Sequence, residues 1–432
     1  MKEDKKENNK SIALKSKPRY EGLDGLRGVA SMIVVIFHIF ETFSDSDPTK
    51  QIVNHGYLAV DFFYVLSGFV IGYAYDDRWD KMSLWDFYKR RLIRLHPMVI
   101  AGTFMGVCYY FLGESVSSPN IENIEPHIFF ITILMNVFMI PTPKSIDVRG
   151  WGETNAFNGT NWTLTYEYLI NVLYSVIIRR LNSIIISILT FISAFLMINL
   201  TLNFDIFKVL KNRGLREYTV IGGWEISPCE IYIGFARLLY PFFAGYLISR
   251  LKLKIKIPFT FIICSIILSI CLALPRIDGG KYFINGIYES IVIIIIFPII
   301  VVMGAGEVEE NTKIIKLCQF LGNFSYPLYI SHYPVIYCHI GWYNFHRNDR
   351  IFNKIVVSVG CFMILLFNTY ALIKLYDEPI RKWLAEKYLK NNEKESIKNV
   401  GVDEEKDDKK EEANAILDDT QNDEEKKNKL LS

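Results

Sequence analysis

SIIISILTFISAFLMINL, residues 183–200, runs for eighteen residues without a charge. As an α-helix rising 1.5 Å per residue it would be about 27 Å long, close to the ~30 Å hydrocarbon core of a bilayer. Its apolar residues are continuous, where a soluble helix would repeat them at i, i+3, i+4 along one buried face. Such a segment reads as a membrane span. IPFTFIICSIILSICLAL (257–274) and SIVIIIIFPIIVVMGAG (290–306) repeat the pattern. Of the 432 residues, 51% are hydrophobic, and runs of this type account for that excess better than soluble cores would. The chain is predicted to be all-α: a polytopic transmembrane helical bundle, with the lipid bilayer as its first partner.

The two ends are different in character. MKEDKKENNKSIALKSKPRY (1–20) is charged and polar, and it lacks an apolar core followed by a small-residue cleavage site, so it is not a signal peptide. From Lys390 onward the chain carries 14 acidic and 9 basic residues and few apolar ones. That composition predicts a disordered, charged cytosolic tail over 390–432. The whole chain is at +2 and the tail at −5, so residues 1–389 carry +7, as basic inner loops would give. The expected organisation is a cytosolic N-terminal segment (1–20), a membrane domain (21–389) and the tail. The seven cysteines are scattered, mostly within apolar runs and without paired spacing, so neither a disulfide framework nor a metal site is indicated. No nucleic-acid partner is expected.

Eleven apolar candidates begin near residues 28, 56, 92, 127, 162, 182, 231, 257, 286, 317 and 353. Orientation follows from the basic loops, which stay inside. The N-terminus, DDRWDKMSLWDFYKRRLIR (76–94), Arg179–Arg180, SRLKLKIK (249–256) and EPIRKWLAEKYLK (378–390) belong in the cytosol. ETFSDSDPTKQ (41–51) and GESVSSPNIENIEP (113–126) belong outside. If all eleven crossed, the later basic loops would fall on the wrong side. Removing one crossing between 113 and 161 restores agreement, and HIFFITILMNVFMI (127–140), only 14 residues long, is the weakest. Ten spans are predicted, with one re-entrant or interfacial helix and both termini cytosolic. The cell's inner, cytoplasmic membrane is the expected location.

RGVASMIVVIFH (27–38) raises a chemical question, because it sets an arginine and a histidine at the two ends of an uncharged stretch. On a helix, eleven residues return to within about 20° of the same face and rise roughly 16 Å. Arg27 then sits at the cytosolic mouth and His38 deeper, toward the outer half. Ionisable groups at depth usually face a cavity or a partner, although Arg27 alone could be an orientation anchor and His38 a helix–helix hydrogen bond. Arg91 and Arg94 in KRRLIRLHP (89–97) share a face at i, i+3. Guanidinium forks suit phosphate oxygens. Phosphates at the mouth and an arm of about 16 Å toward His38 describe the shape of coenzyme A. Glu167, in NWTLTYEYLINVLYSVIIRR (161–180), lies at a comparable depth and could orient the imidazole for general-base catalysis on a hydroxyl. The alternative is that Glu167 pairs with Arg237.

Several motifs taken together resemble one family, the acyltransferase family 3 membrane proteins that O-acylate surface polysaccharides and some small molecules. They are LDGLRGVASMIVVIFH (23–38), with Arg-x10-His; YLAVDFFYVLSGFVIG (57–72); FYKRRLIRLHP (87–97); NWTLTYEY (161–168); LGNFSYPLYISHYPV (321–335); and YDEPIRKWL (376–384). They occur in the family's order over residues 20–385. Ala59 stands where a Gly is common and Thr163 where a Ser is frequent.

The resemblance implies His38 as the catalytic histidine with Glu167 as the motif acid. It implies Arg27, Arg91, Arg94 and Ser67 on the acyl-CoA side. Asp61, Trp162, Arg237 and His332 fall on the substrate side. Ser67 with Gly68 could equally serve close helix packing, and His332 could equally be a helix–helix hydrogen bond. Nothing after residue 385 resembles the extracellular hydrolase-like domain that some members append, so direct transfer, or transfer through a separate partner protein, is expected. The implied reaction moves an acyl group, acetyl by default, from acyl-CoA to a hydroxyl of an envelope glycan or its lipid-linked precursor. A homo-oligomer is compatible with it. The other readings are a small-molecule (macrolide-like) O-acyltransferase and a glycan transporter or flippase. A transporter would often show an internal repeat or paired broken helices, and none is evident.

Overall fold

The computed structural model describes residues 17–45, 47–112, 124–211, 213–277, 280–306 and 311–390. The predicted N-terminal segment up to residue 16, most of the loop 113–126 and the tail from 391 lie outside the described residues. Two units are distinguished. Arg78–Arg94 and the segment from Ile380 form one; Lys17–Asp77 and Leu95–Pro379 form the other.

Most of the described residues are helical, and none lies in a strand. In chain order the helices are α1 (Glu21–Glu41), α2 (Ala59–Tyr75), α3 (Leu84–Leu112), α4 (Pro126–Val137), α5 (Trp162–Val176), α6 (Ser183–Thr201) and α7 (Pro228–Arg250). They continue with α8 (Thr260–Ala273), α9 (Phe283–Gly306), α10 (Thr312–Phe345) and α11 (Ile351–Leu389). Each predicted apolar run is therefore a helix. Seven are long and apolar enough to cross a membrane: α1, α2 with its preceding turn, α3, α6, α7, α9 and α11. The ten-span reading adds α5, α8 and α10. At 12 residues α4 is about 18 Å long, a length that fits the re-entrant or interfacial helix expected there.

Local chemistry sets several boundaries. Glu21 and Asp24 sit in the first turn of α1, against the positive end of its dipole. The Asn182 side chain accepts the Ile185 N–H to open α6, and the Ser227 side chain does the same for Glu230 at α7, where Pro228 occupies a position that needs no N–H.

Two pairings position the site. Without water between membrane helices, close approach depends on small residues. Along α2 and α7, a Cβ on Gly68 would lie 2.0 Å from the Phe242 carbonyl oxygen, and one on Gly245 would lie 1.9 Å from that of Val65. Gly68, within α2, thus serves the packing reading. Along α1 and α10, a Cβ on Gly28 would lie 2.5 Å from Leu321 Cβ. Arg27 fastens the same seam: its Nε donates to Ser325 Oγ (2.8 Å), and its Nη2 donates to the Gly322 carbonyl (3.0 Å) and pairs with Asp24 (3.1 Å).

Candidate functional site

His38 lies in the last turn of α1. Its Nδ1 is 2.6 Å from Glu41 Oε2, one turn further along the same helix. A carboxylate only accepts, so Nδ1 carries the hydrogen and Nε2 presents the lone pair. No described residue hydrogen-bonds that Nε2. The imidazole stacks on His332 of α10, with centroids 5.3 Å apart and planes at 30°, and meets the edge of Tyr333 at 4.9 Å. His332 is fully buried. Its Nδ1 donates to the Tyr329 carbonyl (2.8 Å), while its Nε2 is buried with no hydrogen-bond partner among the described residues.

Next to this pair is a cavity of about 650 Å³. Tyr57, Trp151, Trp162, Trp224, Tyr329 and Tyr333 give it aromatic walls, and Glu41, Asp45, Glu153 and Glu225 give it carboxyl groups. Three connections feed it: the chain after α1, the segment between α4 and α5, and the segment between α6 and α7. Gln51 Nε2 donates to the Phe37 carbonyl (2.8 Å), which folds the first back onto α1. The Thr154 N–H donates to the Trp224 carbonyl (2.8 Å), which ties the second to the third. At the rim, Arg347 pairs with Asp45 (2.9 Å), Lys144 pairs with Glu225 (2.7 Å), and the Arg216 guanidinium lies 5.0 Å over Trp224.

Apart from Arg27, described above, the predicted site residues divide into four groups. His38 and Trp162 line the cavity, and His332 backs His38. Glu167 is placed on Ser67, whose Oγ donates to both carboxylate oxygens at 2.7 and 2.9 Å. The carboxylate hydrogen-bonded to the imidazole is therefore Glu41, a different assignment from the sequence expectation. Asp61 and Arg237 are each other's partner, with Nη2 to Oδ2 at 2.8 Å and Nε to Oδ1 at 3.3 Å. Arg237 also donates to the carbonyls of Tyr57 (2.7 Å) and Gly222 (3.3 Å), and both side chains are almost completely buried. This enclosed pair meets the cavity through Tyr57, whose carbonyl accepts from Arg237, and through Trp162, whose ring lies 5.4 Å from the Arg237 guanidinium. Arg91 and Arg94 are one turn apart on α3, Arg91 buried and Arg94 exposed.

Sequence reasoning did not single out Glu41, Trp151, Glu153, Trp224 or Tyr333. Glu41 had a usable signal, its i+3 spacing from His38. The loop residues had none, because a loop has no period.

Residues 20–373 match the family described as Acyltransferase domain. The chain is 26% identical over 383 residues to the O-acetyltransferase OatA of Staphylococcus aureus, covering 84% of this chain and 58% of that protein. It is 26% identical over 340 residues to the peptidoglycan O-acetyltransferase YrhL of Bacillus subtilis, covering 73% of this chain and 48% of that one. Over 164 residues it is 30% identical to Protein 2 in picA locus of Rhizobium radiobacter, 36% of this chain and 81% of that protein. The chain spans about half the length of the two O-acetyltransferases. No solved structure matches it.

Proposed function

The chain belongs to the acyltransferase 3 family, and from that premise we propose that it is an integral-membrane O-acyltransferase. It moves an acyl group, acetyl by default, from acyl-CoA to a hydroxyl of a cell-envelope polysaccharide or its lipid-linked precursor. The observation that carries this reading is the state of His38. One ring nitrogen is held by a carboxylate, and the other takes no hydrogen bond from a described residue, in the wall of an aromatic-lined cavity. Aromatic faces with a few convergent polar groups suit a saccharide, which is apolar on its ring faces and polar at its edge.

In this scheme His38 Nε2 takes the proton of the acceptor hydroxyl as the hydroxyl oxygen attacks the acyl carbonyl. A C–O bond forms and the C–S bond breaks. The proton then passes from the imidazole to the leaving thiolate, and the products are an ester and a thiol. Glu41 holds Nδ1–H throughout and offsets the positive charge the ring carries in between. Ser67 and Glu167 are assigned to holding α2 against α5. The donor's phosphates are assigned to Arg91 and Arg94 on their spacing, while Arg27 is engaged at the seam between α1 and α10. With both termini in the cytosol, α1 runs outward across the cytoplasmic membrane and the cavity stands at the outer end, where an envelope glycan is met.

The test is turnover of acetyl-CoA by the purified full chain with a mixed glycan pool, wild type against His38→Ala. Thiol release and labelled acetyl on glycan are followed together. Loss of both in a folded variant is the expected result. Turnover at the wild-type rate by His38→Ala would overturn the mechanism. A wild type that neither binds acetyl-CoA nor labels glycan would overturn the function.

A further inference from the structure

PTPKSIDVRGWGETNAFNG, residues 141–159, lies between α4 and α5, and the connection contains only two short 3-10 turns, Lys144–Ile146 and Gly159–Asn161. It is nevertheless anchored along its length. The Thr142 N–H donates to the Thr154 carbonyl (2.8 Å), and Arg149 Nε donates to that of Ala156 (2.7 Å). Asn158 Nδ2 reaches the Ile330 carbonyl on α10 (2.8 Å), and the Gly159 N–H donates to the Tyr337 hydroxyl oxygen (3.1 Å). A loop anchored at these points along its length holds its side chains in place much as a helix would.

That anchoring delivers one carboxyl group to the cavity wall. Glu153 is 7% exposed and lines the cavity. Its Oε2 accepts the Tyr337 hydroxyl hydrogen. The Arg149 guanidinium lies over the same tyrosine ring at 3.5 Å. Glu153 Oε1 accepts no hydrogen bond from any described residue. In the cavity wall that oxygen is open to a donor from a bound ligand. His38 Nε2 is in the same position, and Tyr333 stands between the two groups. Its ring lies 4.9 Å from the His38 ring and 4.7 Å from the Tyr337 ring. The cavity thus offers two acceptor atoms that lack donors, and a ligand with two hydroxyls could satisfy both.

We propose that Glu153 is an acceptor-positioning residue. One hydroxyl of a saccharide donates to its Oε1, while a neighbouring hydroxyl on the same sugar donates to His38 Nε2 and is the one acylated. This rests on the O-acyltransferase reading and deepens it. The acceptor class is a sugar with at least two free hydroxyls, and Glu153 selects which of them reacts.

The experiment uses the purified full chain, labelled acetyl-CoA and soluble peptidoglycan fragments as the probe acceptor. Three quantities are read: acceptor KM, thiol release with acceptor omitted, and the position of the acetyl ester on the sugar by NMR. A hydrogen bond to a charged group, converted to a ratio, makes the expected rise in acceptor KM for Glu153→Gln roughly ten- to hundredfold, larger than any accompanying change in acceptor-free thiol release. The acetyl is also expected to spread over more than one hydroxyl. Glu153→Asp keeps the charge but draws Oε1 back by one methylene, and it gives the same KM effect where the glutamine variant does not fold. A further arm needs no variant: wild type with an acceptor analogue lacking the hydroxyl next to the acylated one shows the same rise. An unchanged KM and a single ester position in every arm overturn the assignment of Glu153. Thiol release with no ester on the fragments overturns the glycan acyltransferase reading itself.

Discussion

The carboxylate that meets His38 Nδ1 is Glu41 Oε2, at 2.6 Å and one turn away on the same helix, and not the Glu167 that lies at similar depth on another. The imidazole is therefore oriented from within α1. Glu41→Gln removes the charge that supports a protonated ring. A charge-assisted hydrogen bond is worth about 1.5–3 kcal/mol, so kcat is expected to fall roughly 10- to 150-fold, with acceptor KM little changed. Glu167→Gln is expected to lower thermal stability in detergent and to leave kcat within severalfold of wild type. Parallel turnover assays on the two variants decide it: equal loss of kcat in both would return Glu167 to the imidazole.

The enclosed Asp61–Arg237 pair predicts an asymmetry between single and double variants. Removing one partner strands a buried charge, which costs about 3–5 kcal/mol, while replacing both with apolar side chains of similar size is often neutral. Arg237→Met and Asp61→Leu singly are expected to lose folded protein well below the wild-type temperature, and the double variant to recover most of it. Size-exclusion profiles after graded heating measure this. Singles that match wild type would show the pair open to water or substrate, which would restore the substrate-binding role.

How far the sequence carried is visible in these same residues. Apolar runs announce helices without reference to anything distant, so all eleven runs appear as helices and α4 is short where a short element was expected. Depth along a span is also legible, and it put Arg237, Asp61 and Glu167 at about the same level as His38. Azimuth is not legible, since it depends on which helix packs against which. Depth alone left Glu167 free to pair with His38 or Arg237, and packing gave it to Ser67 instead. Trp151, Glu153 and Trp224 reach the cavity through contacts such as Thr154 N–H to the Trp224 carbonyl, which span some seventy residues of chain and leave no periodic trace.

Burial pushes the Glu153 carboxyl up from its ordinary 4.5 to about 7. The Tyr337 hydroxyl and Arg149 pull the other way, and Asp147 and Glu41 add to the rise. The other charged and titratable groups on the surrounding wall, beside His38 itself, are the Lys144-paired Glu225, the Arg347-paired Asp45, Arg216, and the tyrosines Tyr57, Tyr329 and Tyr333. Between about 4.5 and 7 the folded state keeps a proton that the unfolded state has released. Stability from this group therefore falls as pH rises through that window. Acceptor binding moves oppositely, because the ionised Oε1 is the stronger hydrogen-bond acceptor. Acceptor kcat/KM is expected to climb through about pH 7, with part of that rise lost in Glu153→Gln, and thermal stability to fall over the same range more steeply in wild type. Superimposable profiles for the two proteins would remove Glu153 from both effects.

Arg91 and Arg94 are the residues on which the choice of donor turns. If they take phosphate oxygens, their value depends on the donor having phosphates, and a donor without them should be indifferent to the arginines. Acetyl-CoA and S-acetyl-pantetheine share the thioester and the arm but differ in the diphosphate and the nucleotide. Each charge-assisted contact is worth about 1.5–3 kcal/mol, so Arg91→Ala with Arg94→Ala is expected to raise the KM for acetyl-CoA at least roughly tenfold. The same double variant should leave the much weaker KM for S-acetyl-pantetheine unchanged. Arg94, the exposed member of the pair, should also show the steeper loss of effect with salt, since screening acts most on exposed charges. An equal rise in KM for both donors would mean that the arginines shape the helix entry without touching phosphate. No rise for either would leave the donor's phosphates, if it has any, to be held elsewhere in the protein.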